Sequence, residues 1–223
     1  MTQTAALYTK KPRSYFSGAR ADMVSLLPNN PAANILELGC GDGSTGALAR
    51  AAGKAATYTG IELDAEAADI ATSQLSTVIV GDIASLDLSS HHGCYDALIA
   101  SEVIEHLIDP AAVLAKLIPC LRPGALVLAS SPNVSHWRVI AALMCGRFEY
   151  ADTGVMDRSH LRWFTPKSYA ALFSDTGLHI VSTSPITPHA MRSRWINWVT
   201  RGRSRHLFMS QINLVAKVPD QSS

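Results

Sequence analysis

Paired cysteines, long apolar runs and an excess of charge of either sign are all missing from this chain. Its four cysteines, Cys40, Cys94, Cys120 and Cys145, are widely spaced and form no C-x-x-C pair. Neither a disulfide framework nor a zinc site is indicated, and no metal is expected. A reducing cytoplasm is the default compartment for such a pattern. No apolar stretch approaches the roughly 20 residues needed to span a bilayer, and the first residues lack the apolar centre of a secretion signal. A soluble, cytoplasmic protein is expected. The net charge over 223 residues is only +1, and no nucleic-acid partner is expected.

That small total hides an asymmetry. Residues 1–133 carry a net charge of −5 and residues 134–223 a net charge of +6. The basic distal half would suit an anionic substrate or a membrane surface, although a solvated basic face explains it equally well. With 48% hydrophobic residues, the chain has the length for one well-buried α/β domain over 1–223 and is short for two.

The most informative stretch is Asn34 to Gly46, NILELGCGDGSTG. Ile35, Leu36 and Leu38 around Glu37 read as a buried parallel strand, which is covered on both faces and so loses alternation. Gly39, Gly41 and Gly43 follow at every second residue, a turn in which a ligand can lie against bare backbone. Ser44 to Ala52 reads as the helix whose N-terminal amides face that ligand. Gly41, Gly43 and Gly46 also spell the dinucleotide fingerprint G-x-G-x-x-G. Asp42 stands against a pyrophosphate there, since a like charge at about 4 Å costs on the order of 4 kcal/mol at an effective dielectric near 20. Glu37, just before the loop, favours a ligand with a cationic end. An adenosine without phosphates fits both.

Along the chain, Tyr15 to Leu27 predicts a helix that covers this pocket, with Tyr15 and Arg20 either facing the ligand or serving as ordinary packing and surface residues. A second strand, Ala56 to Ile61, ends at Glu62, the acidic position that accepts ribose hydroxyls. Asp64 is the expected N-cap of a helix through Gln74. A third strand, Thr77 to Val80, closes on Gly81-Asp82, where a carboxylate can accept from an adenine amino group beside Ile83. A fourth, Tyr95 to Ala100, delivers Ser101 and Glu102. After a helical stretch at Val103 to Leu107, Asp109-Pro110 starts a helix to about Leu121. Arg122-Pro123-Gly124 is read as a turn into a fifth strand, Ala125 to Ser130. Residues 134–164 interrupt this βαβ pattern where a substrate lid belongs, with a helix expected at Ser135 to Met144. Thr165-Pro166 then starts a helix to about Thr176 with Gly177 past its end. Strands follow at His179 to Ser184 and His206 to Val218, and residues 219–223 read as a disordered tail. Between the last two strands, residues 189–205 hold Trp195, Trp198 and five arginines. Such a stretch either packs its tryptophans on the protein or offers them to a membrane, an acidic partner or nucleic acid.

Taken together, ILELGCGDG, GIELD, VGDI, YDALIASEVIEHLIDP, LRPGALVLASSPN and HLRWFTPKSYAALFSDTGL resemble the class I S-adenosylmethionine-dependent methyltransferases. In detail they are similar to the branch of ubiquinone-pathway O-methyltransferases and of methyltransferases associated with polysaccharide assembly. The resemblance implies a Rossmann-like, doubly wound sheet of seven strands, mostly parallel with an antiparallel last strand. It implies S-adenosyl-L-methionine as cofactor. Glu37, Gly39, Cys40, Gly41 and Gly43 would surround the methionine moiety, and Glu62 and Leu63 the ribose. Asp82 and Ile83 would hold the adenine, with Ser101 and Glu102 facing the methionine end and the acceptor.

The expected reaction moves a methyl group to a hydroxyl of a small-molecule or saccharide-like acceptor, N- and C-methylation being the alternatives. His106 and His160 are the candidate general bases. His106 would otherwise be a packing residue fixed by Glu102 or Glu105, and His160 a lid contact of Asp157. Asn133, His136 and Arg162 are candidates for touching the acceptor. A nicotinamide-dependent oxidoreductase and a non-catalytic binding module acting through the Trp/Arg segment are the competing classes.

Overall fold

The computed structural model describes residues 17–185 and 191–220, with only the backbone of 191–194. Tyr15, the first 13 residues, the end of the tail and the side chains of Arg192 and Arg194 lie outside the described residues.

Seven strands form one sheet: β1 (Asn34–Leu38), β2 (Thr57–Glu62), β3 (Thr77–Val80), β4 (Tyr95–Ser101), β5 (Leu121–Pro132), β6 (His179–Pro185) and β7 (Gln211–Lys217). Their order is β3-β2-β1-β4-β5-β7-β6. The first five pair in parallel, whereas β7 runs antiparallel to both β5 and β6. This is the doubly wound, mostly parallel arrangement expected, with the antiparallel last strand.

Apolar residues of β1 divide between two cores. Leu36 and Leu38 pack with Leu98, Leu114, Leu117, Tyr169 and Phe173 on one face. Ile35 packs with Met23, Ala49, Tyr58 and Ile99 on the other. Both faces being covered is why the strand reads as an unbroken apolar run. Strand order reverses between β1 and β4, and at such a switch point the carboxyl ends of neighbouring strands diverge into a crevice.

The helices are α1 (Ala21–Leu26), α2 (Ser44–Ala51), α3 (Ala65–Thr72), α4 (Pro110–Leu117), α5 (Trp137–Met144), α6 (Pro166–Asp175) and α7 (Met191–Val199). The expected caps are in place. The Asp64 side chain accepts from Ala67 N, and Asp109 from Ala112 N, with Pro110 at the first helical position. Thr165 and Ser168 exchange hydrogen bonds as a capping box.

Several boundaries differ from the sequence reading. The covering helix begins only at Ala21, because Arg20 is drawn across to the sheet. The helix expected at Val103 to Leu107 is a single 3-10 turn, Ile104–His106. Arg122 to Gly124 is not a turn before β5 but a bulge within it, since Tyr95 pairs Leu121 and Ala97 pairs Leu126. The last strand starts at Gln211 rather than His206, Arg205–Phe208 being 3-10. The tryptophans of α7 do not pack inward: Trp195 is 66% exposed and Trp198 78%. Polar bonds occupy the inner side instead, with Ser204 Oγ donating to Asn197 Oδ1 at 3.0 Å and lying 2.6 Å from Thr200 Oγ1.

Candidate active site

Carboxyl ends of β1, β2, β3 and β4 open into a cavity of about 1030 Å3. At its floor the glycine turn holds Gly39 at φ +72° and Gly43 at φ +84°. A Cβ on Gly39 would collide with the side chain of Val103, which itself lines the cavity. Gly43 has a different reason to lack a side chain: its Cβ would meet Ala71 Cα at 3.1 Å, on α3. It therefore serves helix packing and does not line the cavity, contrary to its expected place beside the methionine moiety.

Four acidic side chains border this end of the cavity: Glu37, Glu62, Asp82 and Glu102. Glu62 accepts from Gly41 N at 2.8 Å and from Leu63 N and Asp64 N at 2.8 and 2.9 Å, so it braces the glycine turn as well as facing the cavity. Burial raises its pKa in spite of those three donors. Glu37, 3% exposed, accepts from the Tyr58 hydroxyl at 2.9 Å. Burial, aided by the nearby Glu62 charge, pushes its carboxyl up to about 8. Burial also raises the Cys40 thiol, which is no nucleophile in this setting.

Glu102 is one of two described non-glycine residues with positive φ, at +55°. Its carboxylate is held by Ser130 Oγ at 2.7 Å and Gln211 Nε2 at 3.0 Å. Arg20 joins the same network, donating to Ser101 Oγ, to Ser130 Oγ at 3.1 Å, and in a two-pronged pair to Asp22 at 2.8 and 2.9 Å. Both cations that the described residues place on the cavity wall are thus engaged. Lys116 donates to the carbonyls of Ile83, Ala84 and Leu86, holding the loop that carries Asp82 and Ile83.

Beyond Glu102 the cavity continues to Glu105, His106, Asp157 and His160. The two imidazoles, 54 residues apart in sequence, meet edge to face with ring centroids 4.8 Å apart. His106 Nδ1 lies 3.0 Å from the Ser159 carbonyl and His160 Nδ1 3.1 Å from that of Val155. A carbonyl can only accept, so Nδ1 is the protonated nitrogen and Nε2 the basic one in each neutral ring. Glu105 is 1% exposed, with the Ser131 hydroxyl beside its carboxyl group and no well-formed hydrogen bond to either carboxylate oxygen among the described residues. Burial, with the Glu102 charge, raises its pKa well above the usual range. One ligand atom each from Glu105, His106 and His160 lies within 4.8 Å of the others, a set able to hold a divalent cation. Cysteine spacing gives no sign of this cluster, whose members come from separate segments of the chain.

Three expected acceptor contacts are elsewhere. Asn133 is fully buried and ties the chain together, donating to the carbonyls of His206 and Met209. His136 caps α5, its Nδ1 accepting from Arg138 N. Arg162 is exposed and donates to the Ile108 carbonyl. Each is consumed by backbone partners that sequence spacing does not reveal. Arg20, Glu37, Gly39, Cys40, Gly41, Glu62, Leu63, Asp82, Ile83, Ser101 and Glu102 do share the one cavity with His106 and His160.

Comparison with known proteins bears on the chemistry. Residues 13–183 match a family described as a methyltransferase domain. The chain belongs to that family. An uncharacterized 37.1 kDa protein in transposon TN4556 of Streptomyces fradiae is 30% identical to the present chain over 194 residues, 80% of its length. The chain spans 52% of the length of that relative. A protein named ubiquinone biosynthesis O-methyltransferase, from Burkholderia ambifaria, is 27% identical over 165 residues, covering 72% of this chain and 70% of its own. The fold matches an S-adenosylmethionine-dependent methyltransferase from Mesorhizobium loti, with a TM-score of 0.63 and 16% identity over 88% of this chain and 96% of that one. The methyltransferase resemblance drawn from the sequence is borne out, and the oxidoreductase alternative falls with it.

S-adenosylmethionine is the donor of this family, and the cavity suits it. Carboxylates at successive strand tips match an ammonium, a ribose diol and an adenine amino group. Among the described residues, no side chain at the glycine turn offers a positive charge to a pyrophosphate.

Proposed function

We propose that the protein transfers a methyl group from S-adenosylmethionine to a hydroxyl oxygen of a small-molecule or saccharide-like acceptor. The observation that carries this reading is the pair of buried imidazoles, His106 and His160, at the far end of the cavity whose near end is acidic. The relatives named as O-methyltransferases favour oxygen over nitrogen or carbon.

The bound donor supplies a methyl group already activated by a sulfonium. The protein's part is to align the acceptor and keep water out, and positioning of this kind is worth about 7–11 kcal/mol. Glu37 would take the donor's ammonium, Glu62 its ribose hydroxyls, and Asp82 with Ile83 its adenine. Arg20, fixed by Asp22 and the serines of β4 and β5, closes the near side. The chain's own part in the transfer would be to take the acceptor hydroxyl's proton on Nε2 of His106 or His160. General-base assistance contributes roughly 10²- to 10⁴-fold.

A second reading follows from the placement of the Glu105 carboxyl group beside both imidazoles: together the three would hold a divalent cation that lowers the acceptor hydroxyl's pKa. One set of measurements separates the two. Formation of S-adenosylhomocysteine is followed with phenolic and saccharide acceptors, with and without prior chelation. His106→Ala and His160→Ala should each lower turnover at least tenfold while donor affinity stays within a few fold. Insensitivity to chelation supports the base, and loss restored by a divalent ion supports the cation. Turnover with amines and none with any hydroxyl compound would sink the O-methylation reading.

A further inference from the structure

Helix α7 turns its tryptophans away from the protein. Trp195, Trp198 and Val199 fall at positions i, i+3 and i+4, hence on one helical face, and are 66%, 78% and 54% exposed. Ile196 beside them is 36% exposed. The opposite side is the polar one, closed by the bonds among Asn197, Thr200 and Ser204. This inverts the usual burial of an amphipathic helix on its own domain.

Charge identifies what the face meets. Residues 176–219 contain no aspartate or glutamate and six basic residues: Arg192, Arg194, Arg201, Arg203, Arg205 and Lys217. Arg201, Arg203 and Arg205 are exposed on the turn that leaves α7. A protein partner would have to set an acidic surface for the arginines beside an apolar pocket shaped to take two indoles. A bilayer offers both layers at once, anionic headgroups for guanidinium groups and an interfacial zone in which tryptophan is enriched.

Topology fixes where this surface lies. Strand β6 is antiparallel to β7 and β7 to β5, so β6 runs in the direction of the parallel strands. The connection between β6 and β7, which includes α7, therefore lies at their carboxyl edge, the edge at which the cavity opens. Ser210 and Gln211, at its end, line that cavity.

We propose that α7 and the arginine turn after it form a peripheral docking surface for an anionic phospholipid bilayer. Docked there, the protein holds the cavity's edge of the sheet toward the membrane. The inference does not depend on the acceptor or on oxygen chemistry.

The test is co-sedimentation of the full chain with vesicles of phosphatidylcholine alone and of phosphatidylcholine with phosphatidylglycerol. Binding is expected only to the anionic vesicles and should weaken with added salt. The double variant Trp195→Ala/Trp198→Ala should reduce partitioning at least tenfold. The triple variant Arg201→Gln/Arg203→Gln/Arg205→Gln should reduce it on the order of a hundredfold, each basic residue near an anionic surface being worth about one kcal/mol. Unchanged S-adenosylhomocysteine affinity in both variants shows that they are folded. Three results overturn the proposal: no binding to anionic vesicles, binding that survives both variants, or a wild-type dimer that the tryptophan variant converts to monomers.

Discussion

Replacing Glu37 by glutamine should make the protein more stable and a worse binder at the same time. Burial lifts this carboxyl from its ordinary 4.5 to about 8, so the folded protein keeps a proton that the unfolded chain releases. A folded pKa above the unfolded one means stability that is complete below pH 4.5 and is lost as pH rises toward 8. Linkage puts the loss at about 3 kcal/mol by pH 7 and under about 1 kcal/mol at pH 5. Glu37→Gln has no such proton to lose, and its Oε1 can still accept from the Tyr58 hydroxyl, now 2.9 Å from the carboxylate. Urea unfolding without ligand should show the variant more stable by about 3 kcal/mol at pH 7, the gap closing toward pH 5. Calorimetry with S-adenosylhomocysteine at pH 8 should show affinity lower by roughly ten- to a hundredfold, the loss of one charge-assisted contact. Wild-type affinity should itself rise between pH 6 and pH 8 as Glu37 gives up its proton. A stability difference that is the same at both pH values, or unchanged affinity in the variant, would refute this reasoning.

Other consequences are as specific. Gly39→Ala, which places a Cβ against Val103 at positive φ, should lose S-adenosylhomocysteine binding and lower the thermal midpoint, with strain of about 1–3 kcal/mol. Phe173→Ala, fully buried between α6 and the sheet, should cost about 3–5 kcal/mol in urea unfolding. Tyr169→Phe removes the hydrogen bond to the Ser130 carbonyl at 3.1 Å and should cost about 1 kcal/mol. Because Ser130 also holds Glu102, a change in turnover larger than this loss of stability implies would expose coupling to the site.

The near end of the cavity could be read in the sequence because backbone geometry dictates its residues. A turn that brings Gly39 under Val103 leaves no choice of side chain, and Glu62 and Asp82 stand at strand ends whose position follows from the βα rhythm. Capping residues Asp64, Asp109 and Thr165 were legible for the same reason: each acts within three or four residues of itself. The far end was not. Glu105 meets His160 only because 55 residues of chain return across the sheet, and nothing local marks that return. Asn133, His136 and Arg162 have the chemistry of substrate contacts, but backbone groups of neighbouring segments claimed them first. The tryptophans of α7 show the remaining limit, since periodicity identifies a face without saying which way it points.

The account rests on acidic strand tips binding a phosphate-free, cationic donor, and calorimetric titration of the wild-type chain tests this most directly. S-adenosylmethionine and S-adenosylhomocysteine should each bind with a single site, and NADH should give no heat above dilution. Binding of NADH with none of either adenosyl ligand would contradict it.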